Sequence, residues 1–292
     1  MAAGQSDIFH HIRDSHVFEL PWGTEIPVPF GISKFMLLQV VAGLLTVLIF
    51  QGLAKRIASG EPARGRWWNF WELLAVFVRD EVVRPSVGTG HHDHDDEGHH
   101  SGDGSHDAVA VQVGHPADKY LPFVWTVFFF ILFNNLLGAI PWLGTATGHL
   151  CVTGALALTT FAYVVKCGTE ESGVVGFWKS IAPSMDIPGI IGPPVKLMIW
   201  VIEFAGLLIK HLVLAIRLFA NIMAGHTVLA VILGFIAQAA AADQSWIFYM
   251  VAPASVFGQV AIGLLELFVA FLQAYVFSML ASLFIGMAVH PH

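Results

Sequence analysis

Three charged residues recur at seven-residue intervals inside one long apolar stretch of the chain. Glu203, Lys210 and Arg217 lie in the run PVKLMIWVIEFAGLLIKHLVLAIRLFANIMAGHTVLAVILGFIAQ, residues 194–238. Positions seven apart nearly eclipse on a helix with 3.6 residues per turn, so the three side chains share one face. Asn221 follows Arg217 by four residues and extends that face. The sequence therefore predicts a narrow polar stripe on an otherwise apolar helix.

The guanidinium of Arg217 is the costly member of this stripe. An arginine at the centre of a membrane helix costs roughly 2.5–3.5 kcal/mol on insertion scales. Its guanidinium cannot lose its proton to escape that cost. The charge therefore requires a negative partner or a water-filled groove. A carboxylate beside Arg217 would be held in its ionised form, so the arginine is suited to be a barrier to protons rather than a carrier of them.

Composition places the chain among integral membrane proteins. Of its 292 residues 56% are hydrophobic and 12% are charged, whereas soluble domains carry about 25% charged residues. The formal net charge of −7 comes largely from acidic residues in the N-terminal third and gives no indication of a nucleic-acid partner. The two cysteines, Cys151 and Cys167, indicate neither a disulfide framework nor a zinc site.

Five segments have the roughly 20 apolar residues that a bilayer-spanning helix needs. They are residues 35–54, 121–141, 148–166, 194–238 and 246–290. The last two are about twice the required length, so each is either a pair of helices or one long tilted helix. Because neither has a polar turn at its middle, we favour two long tilted helices that form a hairpin, with Asp243, Gln244 and Ser245 at its turn. The predicted fold is all-α, with about five transmembrane helices.

A second polar stripe is predicted on the last span, where Glu266 and Gln273 are seven residues apart. The midpoint between Arg217 and Gln273 is position 245, inside the predicted turn, so the two residues should lie at similar depth. His226 lies nine residues, about 13 Å, beyond Arg217 and should share a level with Glu266. Nine positions also place His226 on the opposite side of its helix, towards a cavity behind the stripe.

These stripes have two possible interpretations. Polar residues join helices by hydrogen bonds in many membrane bundles. Facing stripes that together hold an arginine and two glutamates favour a functional site instead. His211 and His149 are more typical of satisfied or interfacial histidines than of a proton relay.

The distribution of basic residues predicts the topology, because cytoplasmic loops are enriched in Lys and Arg. The loop after the first span is rich in them, whereas the connections at 142–147 and 239–245 have none. Residues 1–34 are therefore predicted to be extracytoplasmic, residues 55–87 to form a cytoplasmic loop, and the C-terminus to lie in the cytoplasm. The loop contains Trp67, Trp68 and Trp71 among charged residues. This pattern predicts either an interfacial amphipathic helix or a helix packed on the other spans.

Residues 88–117 form a predicted disordered insertion, whose part 88–107 reads GTGHHDHDDEGHHSGDGSHD. It is either a metal-capturing segment or a solvated insertion without a mechanistic role. The first interpretation raises an alternative function, a divalent-metal transporter with a His-rich cytoplasmic loop. A transporter would need clustered ligands inside the membrane, where the histidines of this chain are solitary. We predict no metal site and no cofactor.

Four motifs resemble subunit a of F-type ATP synthases. They are LAIRLFANIMAGH at 214–226, FLQAYVF at 271–277, FNNLLGAIP at 133–141 and TATGHLCVTGALAL at 145–158. The resemblance covers most of the chain from about residue 118, and residues 118–292 are predicted to form the membrane channel domain. It implies a multi-pass protein of the bacterial inner membrane in the F0 sector. The implied partners are the c-ring, the b subunits of the peripheral stalk and membrane lipid.

The resemblance also implies roles for individual residues. Arg217 would face the carboxylates of the rotating c-ring. The outer access path would be lined, or the arginine supported, by Asn221, His226, Glu266 and Gln273, and the cytoplasmic side would hold Glu203 and Lys210.

Two features depart from the commonest family pattern. The acidic residue and histidine that many members carry are exchanged here as His226 and Glu266. Gly138 and Leu143 stand where some bacterial relatives have acidic residues.

The expected function is that of a stator subunit with two offset half-channels, separated by Arg217. The chain has no phosphate-binding loop of the GxxxxGK[ST] type. We therefore expect a non-catalytic subunit.

Overall fold

The structure is a computed structural model, and it describes residues 17–19, 25–27, 33–57, 65–87, 115–140, 145–181, 192–241 and 245–289. Eight α-helices are present in these ranges: α1 (Lys34–Ile57), α2 (Arg66–Phe77), α3 (Arg84–Val87), α4 (Leu121–Gly138), α5 (Leu150–Ser172), α6 (Val174–Ser180), α7 (Gly192–Ala241) and α8 (Ser245–Val289). Two short strands, β1 (Val17–Glu19) and β2 (Glu25–Pro27), pair antiparallel with Phe18 opposite Ile26. Apart from this two-stranded ribbon the fold is helical, as the composition predicts.

Five helices in the described ranges are long and apolar enough to cross a membrane, namely α1, α4, α5, α7 and α8. Their positions confirm the five predicted spans. The largest difference is at the end of α5, which continues to Ser172 rather than stopping near residue 166. The added turn is polar, and its Glu170 and Glu171 form ion pairs with Lys166 and Lys119 at 3.7 and 2.8 Å.

The two longest helices form the predicted hairpin. α7 has 50 residues and α8 has 45, and both are continuous. Ser245, predicted as part of the turn, is the first residue of α8 instead. The other predicted turn residues, Asp243 and Gln244, lie outside the described residues.

The helix α4 occupies the centre of the molecule, because it packs against α8 on one side and α1 on the other. Its Phe128 and Phe129 are among the largest fully buried side chains. Phe129 packs edge-on against Phe50 of α1, with ring centroids 5.1 Å apart, a favoured geometry for aromatic pairs. The mostly apolar sequence of α4 thus corresponds to a helix that is surrounded by others.

The tryptophan-rich helix α2 has features of both predicted arrangements, a helix at the membrane interface and a helix packed on the other spans. One face is buried against the bundle through Trp71, Leu74 and Ala75. The other face exposes Trp67 and Leu73, with exposed fractions of 64% and 68%. An apolar face that is packed and a second one that is exposed are expected for a helix lying at a membrane surface beside its own spans.

A π-helical segment, Val78–Val83, continues α2 into α3. Its Arg79 donates two hydrogen bonds to Asp80, at 2.8 and 3.1 Å, and this guanidinium holds the pKa of the Asp80 carboxyl below its usual value. The hydroxyl of Ser282 on α8 donates to the carbonyl of Val82 at 3.3 Å. The π segment thereby binds the C-terminal part of α8.

Gly286 of α8 makes the closest approach in this region. A Cβ at this position would collide with the backbone carbonyl of Ser86 in α3. Because that carbonyl belongs to the backbone, it cannot rotate away as a flexible side chain would. The close packing of α8 on α3 therefore requires glycine here.

We expect Gly286→Ala to lower the stability of the folded subunit by about 1–3 kcal/mol, the usual cost of overpacking. Gly263→Ala is the matched control, since a Cβ at Gly263 of α8 meets no atom within 4 Å. Alanine should be neutral or slightly stabilising there, because it favours the helix over glycine. The thermal midpoints of both variants in detergent measure the difference, and equal midpoints would contradict the packing argument.

The predicted insertion 88–117 lies mostly outside the described residues, and its His-rich part 88–107 does so entirely. His115 is the next described residue, and Ala117 is buried in a 3-10 helix, Pro116–Tyr120, that leads into α4. The ring of His115 accepts a hydrogen bond from the backbone N–H of Ala117 at 3.2 Å. These residues of the predicted insertion therefore belong to the cap of the second span.

Candidate functional site

Arg217 lies near the middle of α7 with its side chain on the outside of the molecule. Within the described part of the chain it forms no hydrogen bond or ion pair. Its neighbours Leu214, Ala215 and Leu218 are buried and hold the other side of α7 against the bundle. The arginine is thus fixed by its helix, with its guanidinium directed away from its own polypeptide.

The predicted polar stripe exists and faces outward. Glu203 and Lys210 are exposed like Arg217, and Asn221 is half-buried. Beside the stripe lies an exposed apolar surface of the same helix, which includes Ile216 with an exposed fraction of 45%. The exposed alanines Ala220 and Ala224 continue this surface past the arginine.

Two close contacts define the register of the hairpin. A Cβ at Gly258 would lie 3.9 Å from Cδ1 of Ile232, and a Cβ at Gly225 would overlap the carboxyl group of Glu266. The two residue numbers sum to 490 in the first pair and to 491 in the second. In an antiparallel hairpin, residues of α7 and α8 whose numbers have about this sum therefore lie at the same level. Arg217 is therefore level with the turn of α8 that contains Gln273, as the sequence predicts.

Gln273 itself does not share the outward surface of Arg217. It is 3% exposed, between the helices, and its Nε2 has no hydrogen-bond partner among the described residues. The sequence places the two side chains at one depth, and in the structure one of them is exposed and the other buried.

Glu266 reaches α7 at the position directly before His226. Its carboxyl group lies against Gly225, where the absence of a side chain leaves room for it. Glu266 and His226 are both half-buried, and no hydrogen bond or ion pair joins them in the described structure. The predicted shared level is therefore observed, and the two protonatable groups lie on the bundle side of α7 rather than in the exposed stripe.

A group of buried polar residues next to this level was not predicted as part of the site. Asn134 and Asn135 on α4, together with Thr145 and Thr147 in the connection before α5, are each at most 2% exposed. Thr147 donates a hydrogen bond to Oδ1 of Asn135 at 3.0 Å. The motifs FNNLLGAIP and TATGHL contain these residues, so paired amides and hydroxyls inside apolar runs were the available signal.

His211 is held in the core, in agreement with the sequence interpretation. It is 4% exposed, its Nδ1 bonds the carbonyl of Leu207 at 2.9 Å, and its ring packs against Phe161 and Phe284. His149 is exposed, with its ring 5.9 Å from that of Phe35. Among the described residues neither histidine side chain forms a hydrogen bond or ion pair with a residue of the polar stripe.

The arrangement separates protonatable groups on two sides of Arg217. His226 and Glu266 lie between Arg217 and the hairpin turn, whereas Glu203 lies 14 residues, about 21 Å along the helix, on the other side. No continuous hydrogen-bonded chain past the arginine is formed by the described residues. Nor do they contain a group of three or more His, Cys, Asp or Glu side chains placed to hold a metal ion.

Comparison with known proteins identifies relatives over most of the chain. A family model described as ATP synthase A chain matches residues 103–286. The chain is 37% identical over 279 residues to ATP synthase subunit a of Myxococcus xanthus, covering 92% of this chain and 80% of that protein. It is 32% identical over 296 residues to ATP synthase subunit a of Chloroherpeton thalassium, covering 97% and 76%. It is also 34% identical over 307 residues to the Anaeromyxobacter dehalogenans protein of the same name, covering 98% and 70%. The resemblance drawn from the four motifs is confirmed.

Proposed function

The chain belongs to the ATP synthase A chain family, and we propose that it provides two offset half-channels to a rotating ring of c subunits, with Arg217 as the barrier between them. As a member of this family it is a multi-pass membrane subunit of the proton-conducting F0 sector and not itself the catalytic part of the enzyme. The division of labour among its residues is the part that we propose.

The main support for this proposal is that the Arg217 side chain is exposed and forms no hydrogen bond or ion pair within the described chain. A permanent cation in an apolar surface requires an anionic partner, and a carboxylate on another subunit satisfies that need. A carboxylate facing Arg217 stays ionised, whereas one facing lipid is stable only when it is neutral. A ring carboxylate must therefore gain a proton before it leaves the arginine and release one before it returns.

The outer half-channel leads to the bundle side of the hairpin, where His226 and Glu266 lie at one level. Protons enter there, with Asn221 between this level and the arginine and Gln273 level with the arginine. They leave on the cytoplasmic side past Glu203 and Lys210 after nearly a full rotation. Direct passage between the two paths is prevented by the fixed charge of Arg217, which repels protons.

The proposed orientation follows the distribution of basic residues. The hairpin turn and the N-terminus lie outside, and the C-terminus lies in the cytoplasm. The b subunits of the peripheral stalk complete the stator. The alternative of a divalent-metal transporter gains no support from the comparisons, which match ATP synthase subunit a over most of the chain.

Disulfide trapping tests the face that meets the ring. In a background without Cys151 and Cys167, cysteines replace Ala220 or Ala224, which are exposed on the arginine side of α7. Each should form a disulfide with a cysteine placed next to the carboxylate of the ring subunit, since bridged Cα atoms must lie about 4.4–6.8 Å apart. The measurement is the yield of the crosslinked a–c product on a denaturing gel.

The matched control is Ala215→Cys on the same helix, because Ala215 is 2% exposed and faces the bundle. It should give no crosslink to the ring. If Ala215→Cys forms the product and the two exposed positions do not, the proposed interface is on the wrong face of α7.

A further inference from the structure

A short 3-10 turn, Ala146–Gly148, packs against α7 and α4. Within it Thr147 is fully buried, and its hydroxyl bonds Oδ1 of Asn135 on α4 at 3.0 Å. Asn135 in turn bonds the backbone carbonyl of Ala270 on α8 at 3.4 Å through Nδ2. The three residues form one bridge from the turn, through α4, to α8.

The carbonyl of Ala270 determines which atom donates and which accepts in each of these hydrogen bonds. A backbone carbonyl only accepts, so the amide NH2 of Asn135 must face Ala270. The amide oxygen then faces Thr147, whose hydroxyl has to donate. Without that hydroxyl the buried oxygen of Asn135 would lose its hydrogen bond, and the amide would no longer be held towards α8.

Ala270 lies in the turn of α8 that carries the polar residues of the proposed outer path. It is four residues after Glu266 and three before Gln273, so all three lie on one side of the helix. A bond to its carbonyl therefore fixes the rotation of the segment that directs Glu266 towards Gly225.

The same turn also fixes α7 at this depth. A Cβ at Gly148 would lie 3.6 Å from Cγ2 of Ile222, the residue after Asn221. Close packing at Gly148 sets the distance of the turn from α7, while the Thr147–Asn135 bridge sets its attachment to α8. The turn thus helps to fix the positions of both helices at the level where the Glu266 carboxyl contacts Gly225.

We propose that Thr147 is a positioning residue for proton entry: through Asn135 it holds α8 so that Glu266 faces the His226 level of α7. This inference rests on the proposed function of the hairpin. Thr147 carries no proton itself, and its contribution is the orientation of a group that does.

The test is proton-driven ATP synthesis by the assembled complex in sealed vesicles, measured per assembled complex. Thr147→Val keeps the shape of the side chain and removes the hydroxyl. We expect the proton concentration on the entry side that gives the half-maximal rate to rise about tenfold, as for a misplaced reacting group, with the maximal rate within about twofold of the original. Thr147→Ser, which keeps the donor, should restore the original value.

The control is Thr153→Val, since Thr153 is equally buried but bonds only the carbonyl of Leu150 in its own helix, at 3.2 Å. It should leave the proton dependence unchanged. A merely structural role for Thr147 predicts less assembled complex with an unchanged proton dependence per complex, and that result would overturn the inference. Should Thr147→Val fail to assemble, Thr147→Cys decides, because its thiol is a weak donor: an intermediate shift supports the bridge and no shift overturns it.

A double-mutant cycle with Asn135→Ala tests the bridge itself. If both residues act through one hydrogen bond, the proton dependence of the double variant should be shifted no further than that of Asn135→Ala alone. Shifts that add up in the double variant would contradict the bridge. The outcome is separable from that of the proposed function. Retained coupling after loss of Arg217 would reject the half-channel scheme, while normal proton dependence in Thr147→Val would reject only the role of the turn.

Discussion

Replacing Arg217 by alanine should abolish proton-driven ATP synthesis while the complex still assembles. The side chain is exposed on α7 and makes no hydrogen bond or ion pair within the described chain, so the fold does not depend on its charge. A ring carboxylate about 4 Å away gains about 4 kcal/mol from the arginine at an effective dielectric constant of 20. That is a preference of about a thousandfold for the ionised form. Without the arginine a ring carboxylate can pass α7 while it is still protonated, so rotation no longer requires proton release. Protons can also cross directly between the two half-channels, because no fixed positive charge separates them.

The measurement is ATP synthesis driven by an imposed proton gradient in sealed vesicles, together with their passive proton permeability. Synthesis should be undetectable in Arg217→Ala, and permeability through the membrane sector should rise. Arg66→Ala is the control, because Arg66 is exposed on α2, away from the hairpin. Arg217→Lys should restore only part of the activity, since an ammonium lacks the fixed planar fork of the guanidinium. Normal synthesis by the alanine variant would reject the proposed barrier.

Adding a single methyl group at Gly225 should reduce synthesis by between about 10- and 100-fold, the range expected when a reacting group is displaced by about 1 Å. The new Cβ would occupy the space of the Glu266 carboxyl. That carboxyl is the end of a flexible side chain, so it can move away at little cost in folding free energy. Gly225→Ala should therefore leave the amount of assembled complex unchanged and impair proton entry.

Gly234→Ala is the matched control for this effect. Gly234 lies on the same helix, and a Cβ there meets no atom within 4 Å. Both substitutions favour the helix by up to about 1 kcal/mol, so any difference in activity reports the Glu266 contact alone. Equal activity of the two variants would show that the position of Glu266 against α7 has no consequence for transport.

The sequence predicts the spans and the hairpin because their signals are long and local. Each of α7 and α8 is an apolar run without a central polar turn, and a seven-residue repeat is enough to place Glu203, Lys210 and Arg217 on one face. The depth of Gln273 also follows from counting residues to the turn. What counting cannot give is the direction in which a helix face points, and so the burial of Gln273 beside an exposed Arg217 emerges only from packing.

The contribution of the connection before α5 depends on contacts between residues far apart in sequence. Asn135 and Ala270 are 135 positions apart, and no periodicity within one segment relates them. The π-helical segment at Val78–Val83 is a similar case, because its bond with Ser282 joins residues 200 positions apart. The motifs FNNLLGAIP and TATGHL mark where buried polar groups occur, and only the fold determines which groups they meet.

The attachment of α8 at Gly286 and Ser282 has a mechanical consequence. The last turns of α8 are held by the close approach of Gly286 to the backbone of Ser86 in α3 and by the hydrogen bond from the Ser282 hydroxyl to the carbonyl of Val82 in the π segment. If a ring turns against α7 as proposed, its sideways push acts on a hairpin that is held at this end of α8. The load on this end would then pass through the π segment into α2, whose Trp67 and Leu73 are exposed.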